Sequence, residues 1–167
     1  MEERIFDSYA IGGAVAATFY MEPFATLDID VFVHFAEPPE SGLLSLSQIY
    51  EFSRTKGWKT EGEYIVIGEW PVQFLPPSSP LEEEAIDYAR SHEVDGIPVR
   101  LMTAEHLMAM ALKLGRAKDY ARLIQFVESG AAESKELASI LERHGLLEKW
   151  EEFSNRFLDE RGDDPNS

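Results

Sequence analysis

The stretch from Ile11 to Val33, IGGAVAATFYMEPFATLDIDVFV, decides how the chain is read. Gly12 and Gly13 open a run of small apolar residues. Asp28 and Asp30 then interrupt Leu27, Ile29, Val31, Phe32 and Val33, which otherwise have the composition of a buried strand. Strand residues two apart face the same way, so the two carboxylates project together from backbone positions about 7 Å apart. At an effective dielectric of about 20 they repel by about 2 kcal/mol. The neighbouring sequence offers no Lys or Arg to offset this. Mg²⁺ does so better, because it takes oxygen ligands, usually one or two carboxylates completed by water and phosphate oxygens. The glycines suit the same site, since a strand-Gly-Gly-helix turn exposes backbone N–H groups where a helix dipole favours phosphate. Each piece alone has a plainer reading. Gly12-Gly13 can be an ordinary tight turn, GGAVAA lacks the GxGxxG spacing of a dinucleotide fingerprint, and Asp-Ile-Asp can be an edge strand reaching into water.

Outward from this stretch, Tyr9–Ile11 reads as a strand, Ala14–Tyr20 as a helix of small, closely packing residues and Leu27–Phe35 as a strand. EPPESG, residues 37–42, reads as a loop, and Leu46–Lys56 as a helix stopped by Gly57. Tyr64–Ile67 and Val72–Leu75 read as an antiparallel pair. Ser79 before Pro80 and Glu82–Glu84 marks a helix start, with a hydroxyl cap, proline at the first turn and acids over the positive dipole end. That helix is expected to run to about Arg90. A turn at Val94–Gly96 and a strand at Ile97–Leu101 follow. Thr103 then caps a helix over Ala104–Leu114, and Ala117–Ser129, Ser134–Arg143 and Leu146–Asp159 complete a helical C-terminal third. The class is α+β: a mixed sheet flanked by helices, with a C-terminal helical extension. The expected division is a core over residues 1–102, a helical region over 103–160 and a disordered tail over 161–167.

Composition limits the partners. The formal net charge of -16 over 167 residues argues against broad attraction to nucleic-acid backbones or anionic lipid. Any polyanion must be held locally, and the basic residues grouped for this are Lys113, Arg116, Lys118 and Arg122. Glu82–Glu84, Glu148, Glu151 and Glu152 read as solvated helix faces. Cysteine is absent, which excludes disulfides and thiolate metal sites and suits a reducing compartment. No apolar run approaches the roughly 20 residues that span a bilayer, and the N-terminus lacks the features of a signal peptide, so the expected location is cytoplasmic.

The IGG segment, followed after a short helix by TLDIDVFV, resembles the hallmark of the DNA polymerase β-like nucleotidyltransferase superfamily. In that superfamily Gly-Gly or Gly-Ser precedes a hydrophobic-flanked Asp-x-Asp strand. GIPVRLMTAEHLMAMALKLGRAKDYARLI, residues 96–124, resembles a second signature, found in the bacterial minimal nucleotidyltransferases related to AbiEii toxins of toxin-antitoxin systems. The resemblance implies an NTP substrate, Mg²⁺, transfer to an RNA or protein hydroxyl, and an antitoxin-like protein partner. It also implies roles for single residues. Gly12 and Gly13 hold the triphosphate, Asp28 and Asp30 ligate Mg²⁺, Lys113 faces phosphates, and Arg116, Lys118 and Asp119 form a polar turn nearby. Lys113 lies in an otherwise apolar helical run, where a buried ammonium wants an anionic partner and a snorkelling one does not.

The chain departs from the pattern where it matters for chemistry. The family carries a third carboxylate on a later strand, and here WPVQFL puts Gln73 in its place. An amide lends a metal a neutral oxygen but is no useful base. Glu69 reaches the same face only if Glu69–Gln73 is one strand, against which Pro71 argues. Phe24 stands where relatives often have Arg, and Arg122 where they often have a second Asp. These departures raise an alternative, a catalytically degenerate module that binds nucleotide or a partner. His34, His92, His106 and His144 lack zinc spacing, and His106 reads as structural or as an interface residue. Met102, Met108 and Met110 read as core.

Overall fold

The computed structural model describes residues 5–23, 26, 28–35 and 46–158. The expected loop at 37–42, Phe24 and the tail from 161 lie outside the described residues. The chain divides into two units, Met1–Phe19 with Pro23–Met102 and Tyr20–Glu22 with Thr103–Ser167. Among the described residues no helix is long and apolar enough to cross a membrane.

In chain order the first unit holds β1 (Phe6–Ile11), α1 (Gly13–Ala17), β2 (Ile29–Phe35), α2 (Ser47–Thr55), β3 (Lys59–Glu61), β4 (Tyr64–Ile67), β5 (Trp70–Leu75), α3 (Pro80–Asp87), β6 (Arg90–Val94) and β7 (Ile97–Leu101). Among the described residues the strands form a seven-stranded sheet in the order β3-β4-β5-β2-β1-β7-β6. It is mixed, because β2 pairs antiparallel with β1 but parallel with β5 and β1 pairs parallel with β7, while β3, β4 and β5 form an antiparallel meander. Alternation sorts the side chains. Val31, Val33 and Phe35 of β2, with Ile65, Ile67 and Phe74, face α2 and pack on its Ile49 and Tyr50. Full burial of an aliphatic side chain such as Val33 stabilises by about 1.5–3 kcal/mol. Asp30 and Phe32 point to the other face, as does Ala10 opposite Phe32. There α3 lies against β1 and β2, and its Asp87 carboxylate stands 3.8 Å from His34 Nδ1.

Several sequence expectations change here. α1 stops at Ala17 instead of Tyr20, and the Thr18 hydroxyl donates back to the carbonyl of Val15 at 2.7 Å. α3 ends at Asp87 instead of about Arg90, because Arg90–Val94 pairs with Ile97–Leu101 through an Asp95-Gly96 turn with φ of 52° and 78°. Arg100 secures that end, its Nη2 donating to the carbonyls of Ile86 at 2.9 Å and of Asp87 and Ala89 at 3.4 Å. Ser79 occupies the N-cap of α3, but its hydroxyl makes no cap bond; the hydroxyl and amide of Ser78 donate instead to Glu82. β3 and β6 were not expected at all, since their residues are mostly charged or polar and carry no apolar alternation. Pro71 sits inside β5, where it faces Val66 of β4, and pairing with β2 begins only at Val72. Glu69 lies outside the strand and is exposed.

The second unit holds α4 (Ala104–Leu114), α5 (Ala117–Ser129), α6 (Ser134–Arg143) and α7 (Leu147–Phe157). α4 and α5 both end on glycines in the left-handed conformation, Gly115 and Gly130. Leu112, Leu123, Phe126, Ile140, Leu141 and Phe153 are buried, and Tyr120 packs its ring against Phe153 and Phe157. Met108 is buried here, as Met102 is in the first unit, and Met110 is half-buried.

Candidate functional site

Register brings Asp30 and Gln73 together. They are direct partners on the parallel strands β2 and β5, so their side chains leave the same face of the sheet side by side. One strand further out, Ile65 of β4 pairs with Val72 of β5, which sets Tyr64 level with Gln73. Tyr64, Gln73 and Asp30 thus form a row across three strands. Asp28 lies just ahead of β2, outside the strand that the sequence assigned to it. Its position is held by side-chain contacts: the Thr26 hydroxyl donates to the Asp28 carbonyl at 3.1 Å and to Oδ1 at 3.3 Å, and the Tyr64 hydroxyl reaches Oδ2 at 3.4 Å. Desolvation first, then the negative charges of Asp28 and Glu63, pushes the Tyr64 phenol above its ordinary value. Tyr64 therefore stays a protonated donor at neutral pH and is not a base.

The glycine turn closes onto this row. The Gly12 amide donates to the Asp30 carbonyl at 2.9 Å. A Cβ on Gly12 would lie 2.8 Å from the Phe32 ring and 3.1 Å from Met102 Sδ. Gly13 has φ of 59°, and a Cβ there would overlap Asp30 Oδ2. Only glycine meets both demands at residue 13. The helix that follows is five residues long, so its dipole is weaker than the sequence argument supposed. What the glycines visibly do is let the backbone approach the Asp30 carboxylate.

The remaining predicted residues belong to the second unit. Lys113 is exposed in the last turn of α4, so of the two readings of this lysine the structure has the one whose ammonium reaches solvent. A cation there complements the helix C-terminus, and Lys149 Nζ donates to the Lys113 carbonyl at 2.8 Å. Arg116 and Asp119 bind each other: Asp119 Oδ2 accepts from the Arg116 amide at 3.2 Å and from Nε at 2.6 Å, and Oδ1 accepts from Nη2 at 3.1 Å. Asp119 is buried, which raises its carboxyl pKa, but the Arg116 hydrogen bonds and charge outweigh this and hold it below the ordinary value. Lys118 is exposed one residue before.

The residues at the start of α4 have structural partners as well. Thr103 caps α4, its hydroxyl accepting from the His106 amide at 3.3 Å and lying 2.7 Å from His106 Nδ1. Buried Glu105 accepts the Glu133 amide at 2.7 Å, at the N-cap of α6. His106 is thus a buried structural residue. Among the described residues no group of three or more His, Asp or Glu side chains is placed to share a cation. Next to Asp30 the third position is an amide. Sequence reasoning missed Tyr64, which lies 36 residues from Asp28. The signal was present in the antiparallel reading of 64–67 against 72–75, which sets residue 64 level with 73 once the register is known.

No protein-family model matches the chain, and no curated protein matches its sequence. Among solved structures, it is similar to an antigenic nucleotidyltransferase-like protein from Paracoccidioides brasiliensis. That likeness covers 88% of this chain and 82% of the other at 14% identity, with a TM-score of 0.52. Weaker likenesses are to the antibiotic-resistance factor ANT(2'')-Ia, at 18% identity over 87% of this chain and 88% of the other with a TM-score of 0.45, and to ANT(2")-Ia in complex with adenylyl-2"-tobramycin, at 19% identity over 82% and 88% with a TM-score of 0.46. The first of these shows that the chain has a nucleotidyltransferase-like fold.

Proposed function

We propose that the protein is a nucleotidyltransferase that binds Mg²⁺-NTP on the face carrying Asp28, Asp30 and Gln73. It transfers the nucleoside monophosphate to a hydroxyl of an RNA or protein and releases pyrophosphate. The observation that carries this reading is the pairing of Asp30 with Gln73 on parallel strands, with Gly13 closed against the Asp30 carboxylate. Two carboxylates and an amide oxygen on one face are a hard, all-oxygen donor set, which fits Mg²⁺. Bound there, the metal would neutralise charge on the phosphates. The residues supply the rest. Asp28 and Asp30 fix the donor geometry, Thr26 and Tyr64 orient Asp28, and the Gly12-Gly13 turn, whose backbone closes against Asp30, is proposed to hold the triphosphate through its N–H groups. Lys113 and Lys118, both exposed, are proposed as phosphate-binding residues on the resemblance of residues 96–124, while Arg116 and Asp119 hold the start of α5.

The likeness of residues 96–124 to AbiEii-related proteins extends the proposal to a toxin-antitoxin component of the bacterial cytoplasm with an antitoxin-like partner. A second reading has its own observation. Gln73 occupies the place beside Asp30 where relatives carry an acid, which favours a protein that binds nucleotide without transferring it. Thermal unfolding with each NTP, with and without Mg²⁺, tests binding, since a ligand at a hundredfold over its Kd adds about 2.7 kcal/mol of stability. The double variant Asp28→Asn, Asp30→Asn is expected to lose the Mg²⁺-dependent shift and keep its apo stability. An unchanged shift would remove these residues from the site. Incorporation of labelled NMP into RNA or protein then separates transfer from binding alone.

A further inference from the structure

The register of β2, β5 and β4 limits how much charge the site offers to cations. Centres that clamp a transferring phosphoryl group between two metal ions set those ions about 3.5–4 Å apart. There two divalent ions repel about four times as strongly as two unit charges, so the pair stays together only where carboxylates stand beside both. Mg²⁺ usually takes one or two carboxylates, with water and phosphate oxygens completing its shell. One ion therefore uses what Asp28 and Asp30 supply, and a second needs an acid of its own.

The place for that acid is beside Asp30, and Gln73 fills it. Both side chains leave the same face from half-buried positions. The amide oxygen of Gln73 can ligate a cation but brings no charge to offset a second one. Beyond Gln73 the row continues with Tyr64, whose phenol is a protonated donor already directed at Asp28 Oδ2 at 3.4 Å. Sharing one aspartate between two ions is hindered as well. A shared carboxylate turns one oxygen to each ion. Here the Thr26 hydroxyl takes a lone-pair direction of Asp28 Oδ1 at 3.3 Å, that of Tyr64 takes one of Oδ2, and the Gly13 backbone closes against Oδ2 of Asp30. Glu63 acts on the Tyr64 phenol but is exposed. Among the described residues no third Asp, Glu or His joins Asp28 and Asp30 in a group that could share a cation.

We infer that this face takes a single divalent ion, at Asp28 and Asp30, and that Gln73 is the residue that holds the count at one. The count rests on the proposal that Asp28 and Asp30 hold Mg²⁺-NTP and adds its stoichiometry. With one ion neutralising the phosphates, the acceptor hydroxyl meets no cation of its own. Its orientation falls to the protein, where Gln73 offers an amide that both donates and accepts hydrogen bonds. Replacing that amide by a carboxylate supplies the missing charge and opens a second position.

Mn²⁺, which suits the same oxygen ligands and is paramagnetic, is the probe. The full chain is given an NTP whose α,β-bridging oxygen is replaced by methylene, so that no transfer occurs. Equilibrium dialysis counts the Mn²⁺ bound per bound nucleotide, and electron paramagnetic resonance shows whether bound ions are coupled. Wild type is expected to hold one Mn²⁺ with the hyperfine lines of an isolated ion. Gln73→Asp is expected to hold two, with lines broadened by coupling over about 3.5–4 Å. Gln73→Asn stays neutral and is expected to hold one. Two coupled ions in wild type overturn the single-ion count and leave the nucleotide site standing. A folded Gln73→Asp chain that still holds one ion overturns the role of Gln73. If Gln73→Asp does not fold, wild type decides the count by itself and Gln73→Glu tests the residue. Absence of any Mn²⁺-dependent nucleotide binding in wild type overturns the metal-nucleotide site itself, and the count with it.

Discussion

Replacing Gln73 by Asp tests the site on two levels at once. Register partners on neighbouring strands stand about 4.8 Å apart, and their side chains share a face. A carboxylate at residue 73 therefore lies about 5 Å from that of Asp30, a repulsion of about 3 kcal/mol at a dielectric of about 20. Both residues are only half-buried, so solvent screening reduces this to about 1–2 kcal/mol. At about 2–4 °C per kcal/mol for a chain of this size, Gln73→Asp is expected to lower the apo Tm by about 2–8 °C. Mg²⁺ is expected to recover the loss, and more strongly than it shifts wild type. The new group is also a proton acceptor beside the proposed acceptor hydroxyl. General-base assistance is worth about 10²–10⁴-fold, so labelled NMP transfer should rise by at least about tenfold. The assays are thermal unfolding with and without Mg²⁺ and label incorporation into RNA or protein. An unchanged apo Tm with no Mg²⁺ response would refute the juxtaposition of residues 30 and 73. A normal Mg²⁺ response with transfer reduced below wild type would refute the assignment of the base to this position.

Gly13→Ala is expected to destabilise by about 2–4 kcal/mol, more than Gly62→Ala, because both have positive φ but only residue 13 meets Asp30; adding Asp30→Ala should return part of the loss in thermal unfolding. Asp119 has a folded pKa below the ordinary value, so its contribution is complete above about pH 4 and is lost as pH falls through the folded pKa. Asp119→Asn should accordingly show lower stability at pH 7 and a shallower acid limb in pH-dependent unfolding. Glu105→Ala is expected to cost about 1–2 kcal/mol by uncapping α6, and Glu105→Gln, which keeps an acceptor, less, both read by denaturant unfolding. In ultraviolet titration, Tyr64→Phe should remove a phenol that ionises above the ordinary value, and Asp28→Asn should lower the titration of that phenol.

The legible parts of the fold were those written in local pattern. Helices over Ala104–Leu114, Ala117–Ser129 and Ser134–Arg143 match their sequence bounds, because apolar periodicity runs through each and Thr103, Gly115 and Gly130 mark ends of the first two. β3 and β6 were illegible for the opposite reason. Their residues are polar and exposed, and only the partners β4 and β7 make them strands. Arg90 shows the conflict directly: helical continuation was the local reading, and hairpin pairing across Asp95-Gly96 prevailed. In the first unit's site, the two aspartates and two glycines stood out in sequence as chemistry out of place. The neighbourhood of Asp30 and Gln73 depended on a parallel pairing that no local pattern states. Tyr64 depended on it twice, through β5 to β2.

The second signature calls for a different weighing from the first. A motif residue is evidence for a ligand only in so far as the fold leaves its chemistry unused. In residues 96–124, Thr103 is used as a helix cap, Glu105 as an acceptor for the start of α6, and Arg116 and Asp119 as each other's partners. Those four residues would be kept by a protein that never met a nucleotide, because losing any of them strands a polar group or a helix end. Lys118 and the Lys113 ammonium are different, since both side chains are exposed. At the first signature Asp28 also has partners, the Thr26 and Tyr64 hydroxyls, but both are neutral donors that leave its charge uncompensated. Two carboxylates lie close together, and the positive φ of Gly13, open to glycine, brings the backbone against one of them. The weight of the nucleotide reading therefore rests on Asp28, Asp30 and Gly13, and the second signature adds to it only through the lysines.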